Sequence, residues 1–239
     1  MRIIGGSEKG RRLSVPKGDR TRPTADRTRQ ALFDMLIHAP WFGREKLEQA
    51  LVLDGFAGTG ALGLEALSRG APRAVFMEKS RPGLAVLWDN IRSCHMEERV
   101  RVLPCDTTRP PRARETAQLV FLDPPYGRDL VRKGARALSH MDWISPQSVI
   151  VAETENTPEG FQLPGAELLA ARPSGAALLT VWTRYRPDGQ TGSCPPPASL
   201  RIPQNHARQH HGGLSFCPAA YNIIFHNLSD IRRSPHRHP

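Results

Sequence analysis

A chain of 239 residues with 39% apolar residues is long enough for one domain and can bury a sizeable core. Its formal net charge of +10 favours a polyanionic partner, usually nucleic acid, over a merely soluble basic protein. The four cysteines contain no C-x-x-C pair, which argues against zinc spacing and against a disulfide framework. No stretch has the length of a transmembrane helix, and no apolar leader follows Met1. We therefore expect a cytoplasmic monomer that contacts no membrane and holds no metal ion.

The first segment of the chain concentrates the positive charge. Residues 2–29 contain nine basic and three acidic side chains, and glycine and proline interrupt them repeatedly. This composition predicts an extended arm, with at most a short hairpin around residues 12–15; a solvated, disordered leader is the alternative. Arginines on such an arm can bind phosphates and stack on unpaired bases. The candidate RNA contacts are Arg11, Arg12, Arg20, Arg22 and Arg27.

A helix is predicted next, from the capping residue Thr24 to the helix-ending Pro40. Its apolar stripe should face the body of the protein, so that Arg27 and Arg29 point outward. We therefore predict that residues 1–46, the arm and this helix, form an RNA-binding unit. The stripe consists of Ala31, Leu32, Met35 and Leu36.

A glycine-rich turn joins the next two predicted elements. The apolar run at residues 51–53 predicts a buried strand, and residues 61–68, rich in Ala and Leu, predict a helix. Asp54 closes the strand, and the following glycines permit a tight turn and a close approach of the backbone to a ligand. Strand, turn and helix N-terminus together predict a nucleotide-type cofactor site. The glycines of the turn are Gly55, Gly58, Gly60 and Gly63, and the last three also match the dinucleotide pattern, which is weak alone.

Acidic residues after successive strands indicate which cofactor this is. Asp54 would repel a pyrophosphate, but it suits the amino group and sulfonium of S-adenosylmethionine (AdoMet). Glu78 follows the apolar run 74–77 and can accept hydrogen bonds from two ribose hydroxyls; Asp106 follows the strand predicted at 99–103 and could bind an adenine amino group. A capped turn and two solvent-facing acids are the alternatives. The predicted cofactor-binding residues are Asp54, Phe56, Gly58, Gly60, Glu78, Lys79 and Asp106. We expect the basic arm to make no contact with this turn.

A second motif follows the strand predicted at residues 118–122. Two consecutive prolines cannot continue a β-ladder, so they hold the chain extended at the carboxyl edge of the sheet, where open α/β sheets bind ligands. The exocyclic amine of a base could donate to the Asp123 carboxylate and the Pro124 carbonyl while Tyr126 stacks on the ring. Acceptors that draw the N–H bonds out of the ring plane free the lone pair to attack a methyl group. The predicted catalytic residues are Asp123, Pro124, Pro125 and Tyr126, with a plain turn as the alternative.

The rest of the chain completes an alternating α/β pattern. Helices are predicted at 80–93 and 128–139, a strand at 148–152, and a closing antiparallel pair at 167–171 and 176–182. We assign residues 47–184 to one methyltransferase domain. Residues 185–239 hold eight prolines and six of the nine histidines without metal-site spacing, and they predict a disordered tail. The side chains predicted to face inward from the two helices are Leu84, Leu87, Ile91, Leu130 and Leu138.

With both motifs placed, residues 1–184 resemble the bacterial RsmD family. The matching segments are 1–6, 10–13, 22–27, 30–33, 54–67, 76–79 and 123–126. The resemblance implies a seven-stranded, mixed, Rossmann-like class I methyltransferase sheet with helices on both faces and a basic N-terminal arm. It also implies AdoMet as donor and the exocyclic N2 of a guanine in 16S rRNA, within an assembled or assembling small ribosomal subunit, as acceptor. By this resemblance Asp54, Gly58, Glu78 and Asp106 are cofactor residues, and residues 123–126 hold the guanine.

Two other functions remain open at this point. Adenine-N6 methyltransferases of DNA or RNA share the Asp-Pro-Pro-Tyr motif. A non-catalytic ribosome-binding factor with a vestigial pocket is the second alternative. Families of this kind usually end soon after the last predicted hairpin, so the resemblance implies no function for residues 185–239.

Overall fold

The computed structural model describes residues 1–16, 23–125, 129–157 and 160–186. Three predicted site residues, Arg20, Arg22 and Tyr126, lie outside these described residues, as does the predicted tail beyond residue 186. In chain order the elements are α1 (Pro23–His38), α2 (Gly43–Gln49), β1 (Leu51–Asp54), α3 (Ala61–Ser68), β2 (Arg73–Met77), α4 (Arg81–Ser93), β3 (Val100–Leu103), β4 (Leu119–Leu122), α5 (Leu130–His140), β5 (Val149–Glu155), β6 (Glu167–Ser174) and β7 (Ala177–Thr183).

The seven strands form one mixed sheet in the order β3-β2-β1-β4-β5-β7-β6, which confirms the predicted fold class. β1 to β5 run parallel to one another, whereas β7 pairs antiparallel with both β5 and β6. β1 lies between β2 and β4, so the strand order reverses direction there. In open α/β sheets such a switch point opens a crevice at the carboxyl ends of the strands.

Side chains from alternate positions of the strands form two cores, one on each face of the sheet. Val52 and Phe121 pack toward the face that also holds Leu32, Leu64 and Leu87 from α1, α3 and α4. Leu53 and Val120 pack toward the other face. The apolar side of α5 covers that second face with Val131, Ala135 and Leu138.

The helices differ from the prediction at several positions. α2 was not predicted, because its sequence is almost entirely polar and only Leu47 is buried. Leu87, Ile91 and Leu138 are buried as predicted. Two residues that were predicted to face inward from the first turns of α4 and α5, Leu84 and Leu130, are only half-buried. The neighbouring Gly83 and Val131 are the buried residues of these turns.

The prediction that Arg29 points outward is wrong. Its side chain is only 5% exposed, and its Nη2 donates to the Asp26 carboxylate at 2.9 Å and to the Arg2 carbonyl. The reason is that the N-terminal segment folds over this side of α1. Arg27, two positions earlier, is exposed as predicted.

Candidate active site

Acidic residues at the carboxyl ends of β1, β4 and β5 line a cavity of about 300 Å³. Asp54 is the last residue of β1, Asp123 directly follows β4, and Glu153 lies near the carboxyl end of β5. The cavity therefore opens where the sheet topology places a ligand crevice. Its remaining walls come from the glycine turn, α1 and the β6–β7 hairpin, including Phe56, Ala57, Thr59, Thr28, Leu32, Ser174, Ala177 and Leu179.

Asp54 combines a capping role with a place in the cavity wall. Asp54 is only 2% exposed to solvent. Its Oδ2 accepts a hydrogen bond from the backbone N–H of Gly63 at 3.0 Å, in the first turn of α3. Burial raises the pKa of Asp54 to about 7; the Gly63 hydrogen bond opposes this shift, and repulsion from Glu78 adds to it. The carboxyl group therefore costs free energy when it is ionised, and a cation in the cavity would offset that cost.

The glycine turn has little room for side chains. Gly60 has φ +77°, and a Cβ there would lie 2.4 Å from Leu87 Cδ1. Gly63 has an ordinary φ, but a Cβ on it would lie 2.3 Å from the Phe76 ring. The first glycine is thus required by conformation and packing together, and the second by close packing of α3 on β2.

The acids after β2 and β3 lie beside the turn, outside the residues that line the cavity. Glu78 accepts the Gly58 N–H at 2.9 Å and the Ser80 N–H at 2.7 Å, so it fixes both the turn and the start of α4. Lys79 donates to Asp106 at 2.9 Å. Hydrogen bonds from the backbone and hydroxyl of Thr108, together with Lys79, lower the pKa of Asp106 to about 2. These two acids form a rim next to the cavity.

The Asp-Pro-Pro segment separates this cavity from a second one. Asp123 lines the first, while Pro124 and Pro125 line a neighbouring cavity of about 280 Å³ on the side of α5. Desolvation, followed by repulsion from Glu153 and Asp54, raises the pKa of Asp123 above its usual range. Asp123 also keeps a surface that is exposed to solvent.

The basic arm is a folded hairpin that packs on α3 and α4. Backbone hydrogen bonds join Ile3 to Arg11 at 2.9 Å and Leu13 to Met1 at 3.1 Å. The hairpin therefore pairs residues 1–3 with residues 11–13, and it begins earlier in the chain than the predicted hairpin around residues 12–15. Ile3 and Leu13 are buried in the core. Arg12 is exposed, whereas the exposed Arg11 is ion-paired with Glu8 at 2.8 Å.

The expectation that the arm stays away from the cofactor turn is wrong. The Thr59 hydroxyl contacts Met1 Sδ at 3.5 Å, and Met1 lines the cavity. Asn90 of α4 links both segments: its amide donates to the carbonyls of Ser14 at 3.0 Å and Thr59 at 2.8 Å, and its oxygen accepts the Ser14 N–H. The physical cause is the burial of Ile3 and Leu13, which pulls the hairpin onto α3 and α4.

Sequence reasoning assigned no role to Glu65 and its ion-pair partner Arg69, which help to hold this arrangement together. Glu65 is fully buried on α3 and accepts the N–H groups of Ile4 at 2.7 Å and Gly5 at 2.8 Å. It also pairs with Arg69 at 2.7 Å and lies 3.6 Å from Arg29. An acid in the middle of an Ala/Leu-rich helix was the available signal.

A family model described as "Conserved hypothetical protein 95" matches residues 1–183. A relative in Haemophilus influenzae, "Ribosomal RNA small subunit methyltransferase D", is 35% identical over 172 residues, which cover 68% of this chain and 86% of the relative. The chain belongs to this family, the RsmD family. The Escherichia coli protein of the same name is 37% identical over 156 residues, or 65% of this chain and 75% of that protein.

The fold comparison agrees with membership in the RsmD family. The solved structure of yhhF from Escherichia coli superimposes with a TM-score of 0.65 at 32% identity, over 77% of this chain and 98% of that chain. The protein is thus a Rossmann-like class I methyltransferase, and this class implies a methyl donor of the AdoMet type. None of the helices in the described residues is long and apolar enough to cross a bilayer. Within the same residues no group of three His, Cys, Asp or Glu side chains could hold a metal ion.

Proposed function

We propose that this RsmD-family protein transfers a methyl group from AdoMet to the exocyclic N2 of a guanine in 16S rRNA. The names of its relatives support ribosomal RNA of the small subunit as the substrate, free or within an assembling particle. The observation that carries the proposal is the position of Asp123 at the same cavity as Asp54 and the glycine turn. A monomer with residues 1–46 for RNA and 47–184 for catalysis is the arrangement we propose.

The residues around the turn fit AdoMet. Asp54 offers a buried carboxyl group that gains from a neighbouring cation, which suits the amino group and sulfonium of the donor. Phe56 lines the cavity, and Gly58, which has almost open space where a Cβ would stand, would let the donor approach the backbone. Gly60 would contribute by holding the turn in its left-handed conformation, since its own Cβ side is filled by Leu87. Glu78 is the candidate partner of the ribose hydroxyls, and the Lys79–Asp106 pair that of the adenine. When bound, AdoMet supplies an electrophilic methyl group.

Asp123 and the Pro124 carbonyl would hold the amine that accepts the methyl group. The target base must be flipped out or already unpaired to reach this edge of the sheet. Two acceptors on the amine pull its N–H bonds out of the ring plane and make the nitrogen lone pair available. The N–C bond would form as the bond between the methyl group and the donor's sulfur breaks, with its electron pair going to sulfur. The nitrogen then loses one proton, and the raised pKa of the Asp123 carboxyl suits it to receive that proton. Pro125 and Tyr126 would complete the site by fixing the loop and stacking on the base.

Nucleoside analysis of the methylated product tests the proposed reaction. Small-subunit rRNA and assembled subunits from cells lacking the enzyme are incubated with purified protein and AdoMet carrying a labelled methyl group, then digested. We expect label in N2-methylguanosine. Label in N6-methyladenosine would establish the rival adenine methyltransferase, and an absence of both AdoMet binding and label would favour the non-catalytic binding factor.

The variant Asp123→Ala tests the mechanism. It removes an acceptor that acts on the reacting amine, so we expect the rate of methyl transfer to fall by about 10²- to 10⁴-fold. AdoMet affinity by calorimetry should change little, since Asp123 lies outside the turn. Transfer at the parental rate would refute this role of Asp123.

A further inference from the structure

Glu153 is an acidic residue of the cavity to which the proposed reaction gives no role. The register of β4 and β5 pairs Leu122 with Ala152, so the next residues, Asp123 and Glu153, are neighbours at the strand ends. Adjacent strands lie about 4.8 Å apart, which brings the two carboxylates within reach of one small ligand. Both residues line the cavity of about 300 Å³.

The side chain of Glu153 is directed to this cavity by the strand itself. Residues two apart on a strand share a face, and Val151, two positions earlier, also lines the cavity. β7 pairs along this part of β5 and fixes its backbone, with Glu153 opposite Leu179. Glu153 also lines the second cavity beside Pro124 and Pro125, so it stands between the two cavities.

Two adjacent carboxylates match one purine edge and conflict with the other. Guanine presents two donors side by side, N1–H and the N2 amine. Adenine presents one donor, the N6 amine, next to N1, which is an acceptor. An ionised carboxylate can only accept hydrogen bonds, so a carboxylate next to the amine site stabilises guanine and repels N1 of adenine. A site built for a donor strongly rejects an analogue that lacks it, because its own buried acceptor is then left unpaired.

We propose that Glu153 is a specificity-determining residue that accepts the N1–H of the target guanine, while Asp123 beside it accepts from the N2 amine. This inference rests on the proposed function and names the residue that distinguishes guanine from adenine and from other amino-purines. The repulsion between the two acids, which contributes to the raised pKa of Asp123, supports their proximity. Two donors placed between them would relieve that repulsion.

The test uses 2-aminopurine, which carries the reactive amine of guanine but has an acceptor at N1. Small subunits are assembled with rRNA in which ligated fragments place either guanine or 2-aminopurine at the position identified by nucleoside analysis. We expect the parent to prefer guanine by about 100-fold or more in kcat/KM. In Glu153→Gln this preference should fall below about tenfold, because the amide can accept from guanine N1–H and donate to N1 of 2-aminopurine.

Two further variants separate recognition from general damage. Glu115→Gln changes the same group on an exposed side chain, ion-paired with Arg73 near the start of β2, and should keep the parental preference. Glu153→Asp keeps the negative charge, so it should retain the preference for guanine at a reduced rate. This variant also tests the inference if Glu153→Gln does not fold.

Three outcomes would overturn the inference. Glu153→Gln could keep the parental preference, or Glu153→Asp could lose the preference as far as the amide variant is expected to; either result leaves the proposed function intact. A parent enzyme that methylates adenine and leaves guanine unmodified would overturn the proposed function and the role of Glu153 together.

Discussion

At the scale of single residues, the site depends on carboxyl groups whose surroundings shift their pKa values in opposite directions. Asp54 and Asp123 both have raised pKa values, whereas that of Asp106 is lowered because Thr108 and Lys79 donate to it. The acids of the cavity thus gain from a cation or a hydrogen-bond donor, and the acid of the rim is already satisfied. In the proposed complex, the acids with raised pKa values would therefore lie at the reacting end of the donor, and Asp106 would lie at its adenosine end.

Asp54 should make AdoMet binding depend on pH. Because a cationic amino group favours the carboxylate, binding to the protein must displace a proton below the folded-state pKa of about 7. Affinity should rise about tenfold per pH unit between pH 5.5 and 6.5 and level off above pH 7.5. Calorimetry at three pH values and in buffers of different ionisation enthalpy measures both the affinity and the released proton.

The matched variants are Asp54→Asn and Asp106→Asn. Asp54→Asn should bind AdoMet weakly and without this pH dependence. Asp106→Asn should also bind AdoMet more weakly but should keep the pH dependence, because Asp106 in the parent stays ionised over the whole pH range and so does not cause it.

The stability of the unliganded protein should change with pH in the opposite direction to AdoMet binding. The pKa of Asp54 in the folded protein lies above its unfolded value of 3.8, so the contribution of Asp54 to the free energy of unfolding is full below about pH 4 and is lost as the pH rises to about 7. A pH-independent parent would contradict the role of Asp54.

At the scale of elements, the glycine turn is defined by a conformation and a contact together. Gly60→Ala should destabilise the protein by about 2–4 kcal/mol, since it combines a left-handed backbone with a clash against Leu87. Gly10→Ala isolates the backbone component, because Gly10 has φ +90° and open space around it; we expect about 1–2 kcal/mol. Urea denaturation measures both. Equal losses in the two variants would mean that the Leu87 contact carries no cost.

Glu65 of α3 is the buried acid that binds the N-terminal hairpin, and Ser68 adds further hydrogen bonds to the same segment. Glu65→Gln leaves the partly desolvated Arg29 and Arg69 short of a negative charge, and its amide group faces the N–H donors of Ile4 and Gly5. We expect a loss of about 3–5 kcal/mol in the free energy of unfolding. Glu45→Gln, on the exposed side of α2, is the control and should stay within about 0.5 kcal/mol of the parent. A loss below about 1 kcal/mol in Glu65→Gln would show that the Glu65 charge contributes little to holding the hairpin.

The sequence predicted the elements with strong local patterns and missed those that depend on tertiary contacts. The five parallel strands were apparent, because buried strands appear as short apolar runs that end in polar residues. α2 and the docking of the hairpin were not, since few local signals show that Leu47, Ile3 or Leu13 becomes buried. The acids that directly follow the strands were recognised as site candidates. Glu153 was not assigned, because only the register of β5 against β4 brings it beside Asp123.

At the scale of the whole molecule, charge is divided between the cavity and the hairpin. Acids dominate the cavity, which suits a cationic donor and the donor edge of guanine, while exposed arginines lie on the hairpin that forms part of its wall through Met1. Arg12 pairs with Arg2 across the hairpin, next to Met1, so a phosphate bound there would lie near the cavity. On the proposed function, Thr59 and Asn90 would therefore connect the hairpin that binds RNA with the turn that binds the donor.

The salt dependence of RNA binding tests this division. Each phosphate contact contributes a slope of about 0.7–0.9, so Arg12→Ala should lower the slope of log affinity against log salt by roughly that amount. Arg11→Ala should lower it less, because Glu8 already neutralises Arg11. Arg73→Ala is the control: Arg73 pairs with Glu115 near the start of β2, and its loss should leave the slope unchanged.

Replacing Arg11, Arg12, Arg20 and Arg22 together should flatten the slope by about three units if all four bind phosphate. Ending the chain after residue 186 should change it less, because residues 187–239 contain only five arginines, spread along the segment, and no lysine. Filter binding of small-subunit rRNA at several salt concentrations gives all these slopes. A quadruple variant with the parental slope, together with a large loss in the shortened chain, would place the RNA contacts in residues 187–239 and remove the hairpin from RNA binding.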